Sequence, residues 1–194
     1  MAELLRTHPL EAWTTAFERL PDTVGIAVEP FVAMADVRLG TVDSEAGTRL
    51  GVDLPTEANT WVPAEAGRAV WLGPDEWLLS STTEAPEELE ARVRAAVLPL
   101  GGSATDVSAQ RIGLRLTGAR VRDVLAKGCS VDLHPRVFGR GSSAQTTLGQ
   151  AGVVLLSLSD TGEDHVVLVR SSFAGYLADW LLDAALEFTH TPTR

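Results

Sequence analysis

Asp106-Val-Ser-Ala-Gln-Arg-Ile-Gly-Leu-Arg-Leu-Thr-Gly118, continued by Ala119-Arg-Val-Arg-Asp-Val-Leu-Ala-Lys-Gly128, is the stretch that sets the fold. Asp106–Ser108 and Arg111–Thr117 read as strands, and Arg111 and Arg115 share one face of the second because side chains alternate along a strand. Gly118–Lys127 reads as a helix with Val121, Val124 and Leu125 turned inward. Asp123 and Lys127 stand four residues apart in the better order, a pairing worth about 0.3–0.5 kcal/mol on a helix surface. Gly128 follows where a left-handed residue would end the helix.

The same vocabulary recurs on both sides of this unit. Downstream, 129–143 carries Pro135, Gly139 and Gly141 and reads as a loop. Strands are expected at about 144–149, 152–159 and 164–170. A final helix starts near Ser172, with Phe173, Leu177, Trp180, Leu181 and Ala184 on one side and Asp179, Asp183 and Glu187 on the other. Upstream, Leu10, Trp13, Phe17 and Leu20 recur at helical spacing over 9–20. Thr23–Val28 and Phe31–Leu39 read as strands, and Asp43 or Ser44 is placed to cap a short helix ending near Leu50. Residues 51–68, with Pro55, Pro63 and Gly67, read as a loop. Trp71-Leu-Gly-Pro-Asp-Glu-Trp-Leu-Leu79 reads as a hairpin around the Gly73–Glu76 turn. A helix over 85–98 has Leu89, Val93, Ala96 and Val97 on its apolar face. The expected class is α+β, with two similar strand-helix-hairpin-helix halves and mixed, mainly antiparallel sheets. The halves are 1–105 and 106–194, closely packed.

Length and composition fit that class. A chain of 194 residues buries about 70% of its unfolded surface and needs no staples. Hydrophobic residues at 45% and charged ones at 22% exclude wholesale disorder. The net charge is −10, which argues against non-specific nucleic-acid binding. The charge is uneven, however: residues 1–100 sum to −10, 101–150 to +4 and 151–194 to −4. Cys129 is the only cysteine, so an internal disulfide and a Cys-rich zinc site are excluded. His8, His134, His165 and His190 lack local metal-ligand spacing. Met1–Trp13 carries Glu3, Arg6, His8 and Glu11 and lacks the apolar core of a signal peptide. Apolar runs such as Ala151–Leu156 are too short to span a bilayer. The expectation is a cytoplasmic protein without nucleic-acid or membrane partners. Phosphate-binding glycine motifs and the Gly-x-Ser-x-Gly elbow are missing.

Several motifs, in one order, carry a family resemblance. Leu125-Ala-Lys-Gly-Cys-Ser-Val-Asp-Leu-His-Pro-Arg136 resembles the gamma subunit of bacterial heterotetrameric sarcosine oxidase. So do Trp71–Trp77, Ala144-Gln-Thr-Thr-Leu-Gly149, Val169-Arg-Ser-Ser-Phe-Ala-Gly-Tyr-Leu177 and Trp180-Leu-Leu-Asp-Ala184 with Leu186-Glu-Phe188. Asp106-Val-Ser108, a strand, and Gly118 opening a helix are similar to the start of the glycine-cleavage T-protein, whose Asp-Val-Ser continues with His-Met where this chain has Ala109-Gln110. Lys127-Gly128-Cys129 resembles folate-dependent iron–sulfur repair proteins of that superfamily, but Ser130-Val131-Asp132 depart from their motif. The resemblance implies a T-protein-like, folate-binding-domain fold. It also implies a flavoenzyme that oxidises sarcosine to glycine, with hydrogen peroxide formed and the one-carbon unit passed to tetrahydrofolate. FAD, FMN, NAD and folate then belong to the alpha and beta subunits and zinc to the delta subunit. The gamma subunit is an assembly partner without cofactors of its own. A free-standing folate-binding aminomethyltransferase is the alternative.

The candidate residues follow from these two lines. Asp106 and Arg111 are the cofactor-binding candidates, although a turn-capping carboxylate is the plainer reading of Asp106. Arg111, Arg115, Lys127, Asp132, His134 and Arg136 are the candidate partner interface. The positive segment 106–140 would steer an acidic patch toward it. Cys129 follows a helix C-terminus, which disfavours a thiolate, and is expected to be inert. Trp71 and Trp77 are expected in the hairpin core. No residue is assigned a catalytic or metal-binding role.

Overall fold

The computed structural model describes residues 7–189. Met1–Arg6, part of the segment read against a signal peptide, and His190 lie outside the described residues. The first elements among the described residues are a 3-10 turn at Glu11–Trp13 and a helical turn α1 (Thr14–Phe17). The first half continues β1 (Gly25–Val28), β2 (Ala33–Arg38), α2 (Ser44–Leu50), β3 (Trp61–Ala64), β4 (Gly67–Gly73), β5 (Glu76–Ser81) and α3 (Pro86–Val97). The second runs β6 (Ser103–Asp106), β7 (Arg111–Thr117), α4 (Val121–Ala126), β8 (Ser143–Leu148), β9 (Ala151–Ser157), β10 (Asp164–Arg170) and α5 (Ala174–Thr189).

These strands form two five-stranded sheets, β1-β7-β10-β9-β8 and β3-β4-β5-β2-β6. Every registered pair is antiparallel. Written in reverse, the second sheet is β6-β2-β5-β4-β3, which repeats the first position by position. The two halves therefore have one plan, with their first strands exchanged. β1 pairs with β7 of the second half, and β6 pairs with β2 of the first. The expected division at 105/106 falls within β6.

Alternation along the strands gives four layers. Met34, Trp61, Val70, Leu72 and Leu78 of one sheet meet Val154, Leu156, Val166 and Leu168 of the other. The outer face of the first sheet, with Ile112, Leu114, Val153 and Val167, packs under Val121, Val124 and Leu125 of α4 and Leu177 and Leu181 of α5. The outer face of the second packs Ala35, Val37 and Leu79 under Leu89 and Val93 of α3, with Ala46 of α2. A buried Leu or Val contributes about 1.5–3 kcal/mol relative to exposure, so these three contiguous clusters hold the sandwich together.

Local chemistry explains where the elements stop. Asp43 accepts a 2.9 Å hydrogen bond from Ala46 N and caps α2, while Gly51, at φ 73°, ends it. Glu88 reaches back to the Ala85 N–H at 3.0 Å at the start of α3. The expected hairpin forms, with Gly73 opposite Glu76 and Pro74-Asp75 between them. Trp77 is fully buried, and its indole N–H donates to Pro55 O at 2.7 Å, whereas Trp71 opposite it is half-buried.

Five expectations are corrected. Residues 51–68 are not all loop, because β3 lies within them; Pro63 is tolerated since β3 is the sheet edge. The helix over 9–20 is a 3-10 turn plus one α-turn, yet Leu10 and Phe17 are buried as its pattern requires. The strand expected at 106–108 lies at 103–106, because the Asp106 carboxylate captures Ser108 N and Oγ and turns the chain. α4 begins at Val121, since Gly118 adopts φ 118° and a Cβ there would lie 2.5 Å from Thr23 O. Finally, Gly128 is not left-handed among the described glycines. A Cβ on it would lie 2.5 Å from the Trp180 ring and 2.8 Å from Gly149 N, so close approach requires this glycine.

Candidate partner-docking surface

The basic segment is partly consumed by the protein's own structure. Arg115 Nε donates to Asp164 Oδ1 at 3.0 Å and Nη2 to Oδ2 at 2.7 Å, a two-pronged pair between neighbouring strands. That pairing raises the Arg115 pKa above its ordinary value. The helical pair expected between Asp123 and Lys127 is not formed. Asp123 accepts from Arg120 at 3.0 Å, and Lys127 turns to Glu187 Oε1 at 2.6 Å. Lys127 also donates to the Ala184 carbonyl and lies 5.1 Å from the Phe188 ring centroid. It thus fastens α4 to α5.

Asp132, His134 and Arg136 belong to one turn. Asp132 accepts from His134 N at 2.9 Å, and His134 Nδ1 accepts from Arg136 N at 3.2 Å. The His134 carbonyl accepts from Val137 N at 2.8 Å and Phe138 N at 2.9 Å. Buried Leu133 and Phe138 pin the turn to the core. Asp132, His134, Arg136 and Val137 are thereby left on the surface, with Val137 65% exposed. Cys129 is half-buried against the core, and its N–H continues the helix to Leu125 O at 3.0 Å.

Arg111 stands apart from these. It is half-buried, and its Nε is buried with no hydrogen-bond acceptor among the described residues. Burial first, and then the charge of Arg170, push its pKa below the ordinary value, against a partial pull from Glu76 and Asp36. Asp106 is exposed, and its Oδ1 is taken by Ser108 N at 2.9 Å and Ser108 Oγ at 2.6 Å. It therefore serves the turn between β6 and β7. The named candidates thus lie in separate places: Arg111 at the start of β7, Arg115 farther along that strand, Lys127 on the outer helices and 132–136 on one loop.

Two residues not among the named candidates matter here. Arg170 is the cross-strand neighbour of Arg111. His165 is fully buried on β10, stacked at 6.2 Å on Phe138, and neither ring nitrogen has a hydrogen-bond partner among the described residues. Burial lowers its pKa to about 4, so it is neutral at physiological pH. Its place in Asp164-His-Val-Val-Leu-Val-Arg170, a strand of inward residues, was the available signal. Among the described residues no three His, Cys, Asp or Glu side chains converge on a possible metal position, and no helix is long and apolar enough to cross a membrane.

The architecture is a T-protein-like fold. The glycine cleavage system aminomethyltransferase T from Bartonella henselae superposes with a TM-score of 0.60, covering 87% of this chain and 48% of that one. At 15% identity that likeness speaks for the fold alone. A much fuller match is to a chain of heterotetrameric sarcosine oxidase from Corynebacterium sp. U-96, solved in complex with pyrrole 2-carboxylate. The TM-score is 0.84 at 30% identity, covering 98% of this chain and 100% of that one. Residues 35–187 match the model described as sarcosine oxidase, gamma subunit family, and the chain belongs to that family. Sarcosine oxidase subunit gamma of an Arthrobacter sp. is 37% identical over 199 aligned positions, 97% of this chain and 94% of the relative. The corresponding subunit of Corynebacterium sp. (strain P-1) is 39% identical over 145, covering 74% and 69%. The resemblance carried by Leu125–Arg136 and the other motifs is thereby borne out, as is the expected α+β class.

Proposed function

We propose that this chain is the gamma subunit of a heterotetrameric sarcosine oxidase and supports the assembly of that enzyme without performing chemistry itself. The observation that carries the reading is the match, over nearly the full length of both chains, to one chain of a heterotetrameric sarcosine oxidase. Its partners are the alpha, beta and delta subunits, and the complex works in the cytoplasm. FAD, FMN, NAD, tetrahydrofolate and zinc are held by those subunits. The complex oxidises sarcosine to glycine, reduces oxygen to hydrogen peroxide and forms 5,10-methylenetetrahydrofolate. The chain's own ionisable groups support a structural part in this. Asp106 holds a turn, Arg115 and Asp164 tie two strands, Lys127 joins two helices and His165 is sealed in the core.

Co-expression with the other three subunits is the test. The chain should be recovered with them at fixed stoichiometry. Purified alone it should be colourless and should not oxidise sarcosine. Calorimetry with tetrahydrofolate at near-millimolar concentration should show no heat of binding. Failure of the chain to co-purify would overturn the reading.

A further inference from the structure

The antiparallel register sets Arg111 of β7 directly opposite Arg170 of β10. Like charges in directly opposed positions destabilise a sheet. Neither guanidinium forms an ion pair among the described residues. The carboxylates that attract Arg111 from the other sheet, Asp36 and Glu76, are already engaged. Arg38 holds Glu76 Oε2 at 2.8 Å and lies 3.7 Å from Asp36 Oδ1. Burial also leaves the Arg111 Nε without an acceptor. An unmatched pair of guanidinium groups, one of them half-buried, is costly unless an anion lies between them.

The surroundings suit such an anion. Arg111 and Arg170 line a pocket of about 510 Å³ together with Gln145, Thr147, Gly152 and Phe173. Gly152 has open space where a Cβ would stand, which leaves room beside the arginines. Phe173 lies at the pocket and is 44% exposed, and Tyr176, 41% exposed, meets it edge-on at 6.5 Å between centroids. Arginine beside exposed aromatic rings is the composition of a binding hot spot between proteins. Guanidinium groups match a carboxylate with paired, directional hydrogen bonds.

We infer that Arg111 and Arg170 form a carboxylate anchor, which receives one aspartate or glutamate side chain of an adjoining subunit while Phe173 packs on the flanking segment. This rests on the gamma-subunit reading and locates one contact on which the assembly depends. Arg170 lies outside the positive segment 106–140, so the anchor joins that segment to β10 and the start of α5.

The test compares wild type, Arg111→Gln and Arg170→Gln, each co-expressed with the other three subunits and then measured for re-association over a salt series. Each variant is expected to weaken assembly at least about tenfold and to make it less sensitive to salt. Thermal melting of each full chain checks its folding. Should Arg111→Gln melt lower, Arg170→Gln carries the test, because Arg170 is exposed at the strand end. Wild-type affinity and salt dependence in Arg170→Gln would overturn the anchor and leave the gamma-subunit role standing. Failure of the wild type to assemble would overturn that role. Acetate or phosphate that raises the melting temperature of wild type but not of Arg170→Gln, with assembly unchanged, would make the occupant a free anion and also overturn the anchor.

Discussion

The Trp61 indole N–H donates to the Ser157 carbonyl at 3.0 Å in the buried space between the two sheets. Trp61 N also donates to Gly141 O at 2.8 Å, and Ser143 N to Asn59 O at 2.7 Å. The edge strand of one sheet is thereby bonded to the segment leading into the edge strand of the other. Trp61→Phe removes the indole bond and part of the interlayer packing, while Ser157 O keeps a contact from Gly141 N at 3.2 Å. The expected loss is about 1–2 kcal/mol in urea unfolding. A midpoint equal to that of wild type would show that the bond contributes nothing.

Gly118 combines a positive φ with backbone crowding, since Thr23 O and Asp22 O stand 2.5 and 2.7 Å from its would-be Cβ. Gly118→Ala should lower stability by about 2–3 kcal/mol or more, through strain at a left-handed position plus a shift of the 22–23 backbone. Gly40→Ala is the control, with nothing within 4 Å of the added atom. Its effect should stay within about 0.5 kcal/mol. Equal melting of the two variants would contradict the crowding.

His165 makes stability depend on pH. Its folded-state pKa, lowered to about 4 by burial, lies below the 6.5 of the unfolded chain. Between those values the unfolded chain binds more protons, so stability falls as pH is lowered from 6.5 toward 4 and this contribution then levels off. The total is about 3 kcal/mol. Chemical denaturation across that window should show a shallower slope for His165→Leu than for wild type. Parallel slopes would mean that the imidazole titrates normally.

Arg115 and Asp164 are partly exposed, at 50% and 23%, so their two-pronged bond remains within reach of solvent. Arg115→Ala should cost no more than about 1 kcal/mol, less at high salt. Its effect on subunit assembly should be smaller than that of Arg170→Gln. An assembly defect larger than that of the Arg170 variant would place the decisive contact on Arg115.

What could be seen in advance follows the range of the interaction. The hairpin around Gly73–Glu76, the Asp43 cap and the helix from Pro86 depend on residues within a few positions, and local chemistry displays them. Lys127 also looked local, yet its partner Glu187 lies on another helix, and Asp164 is 49 positions from Arg115. Pro63 hid β3, because proline argues against a strand until the strand is known to be an edge. Gly128 looked like a cap, but its reason is the Trp180 ring, which only the packed helix brings near. The basic segment appeared as one surface because a linear charge sum cannot register which charges meet acids after folding.

The exchange of β1 and β6 bears on how such a chain can arise. One half cannot complete its own sheet, but two copies of it can complete each other's by trading first strands. Two identical half-length chains would close this sandwich as a symmetric dimer. Joining them end to end removes the need for identity, and each copy is then free to take its own charge and contacts. In this chain the halves already differ in charge, residues 1–100 summing to −10 and residues 101–150 to +4.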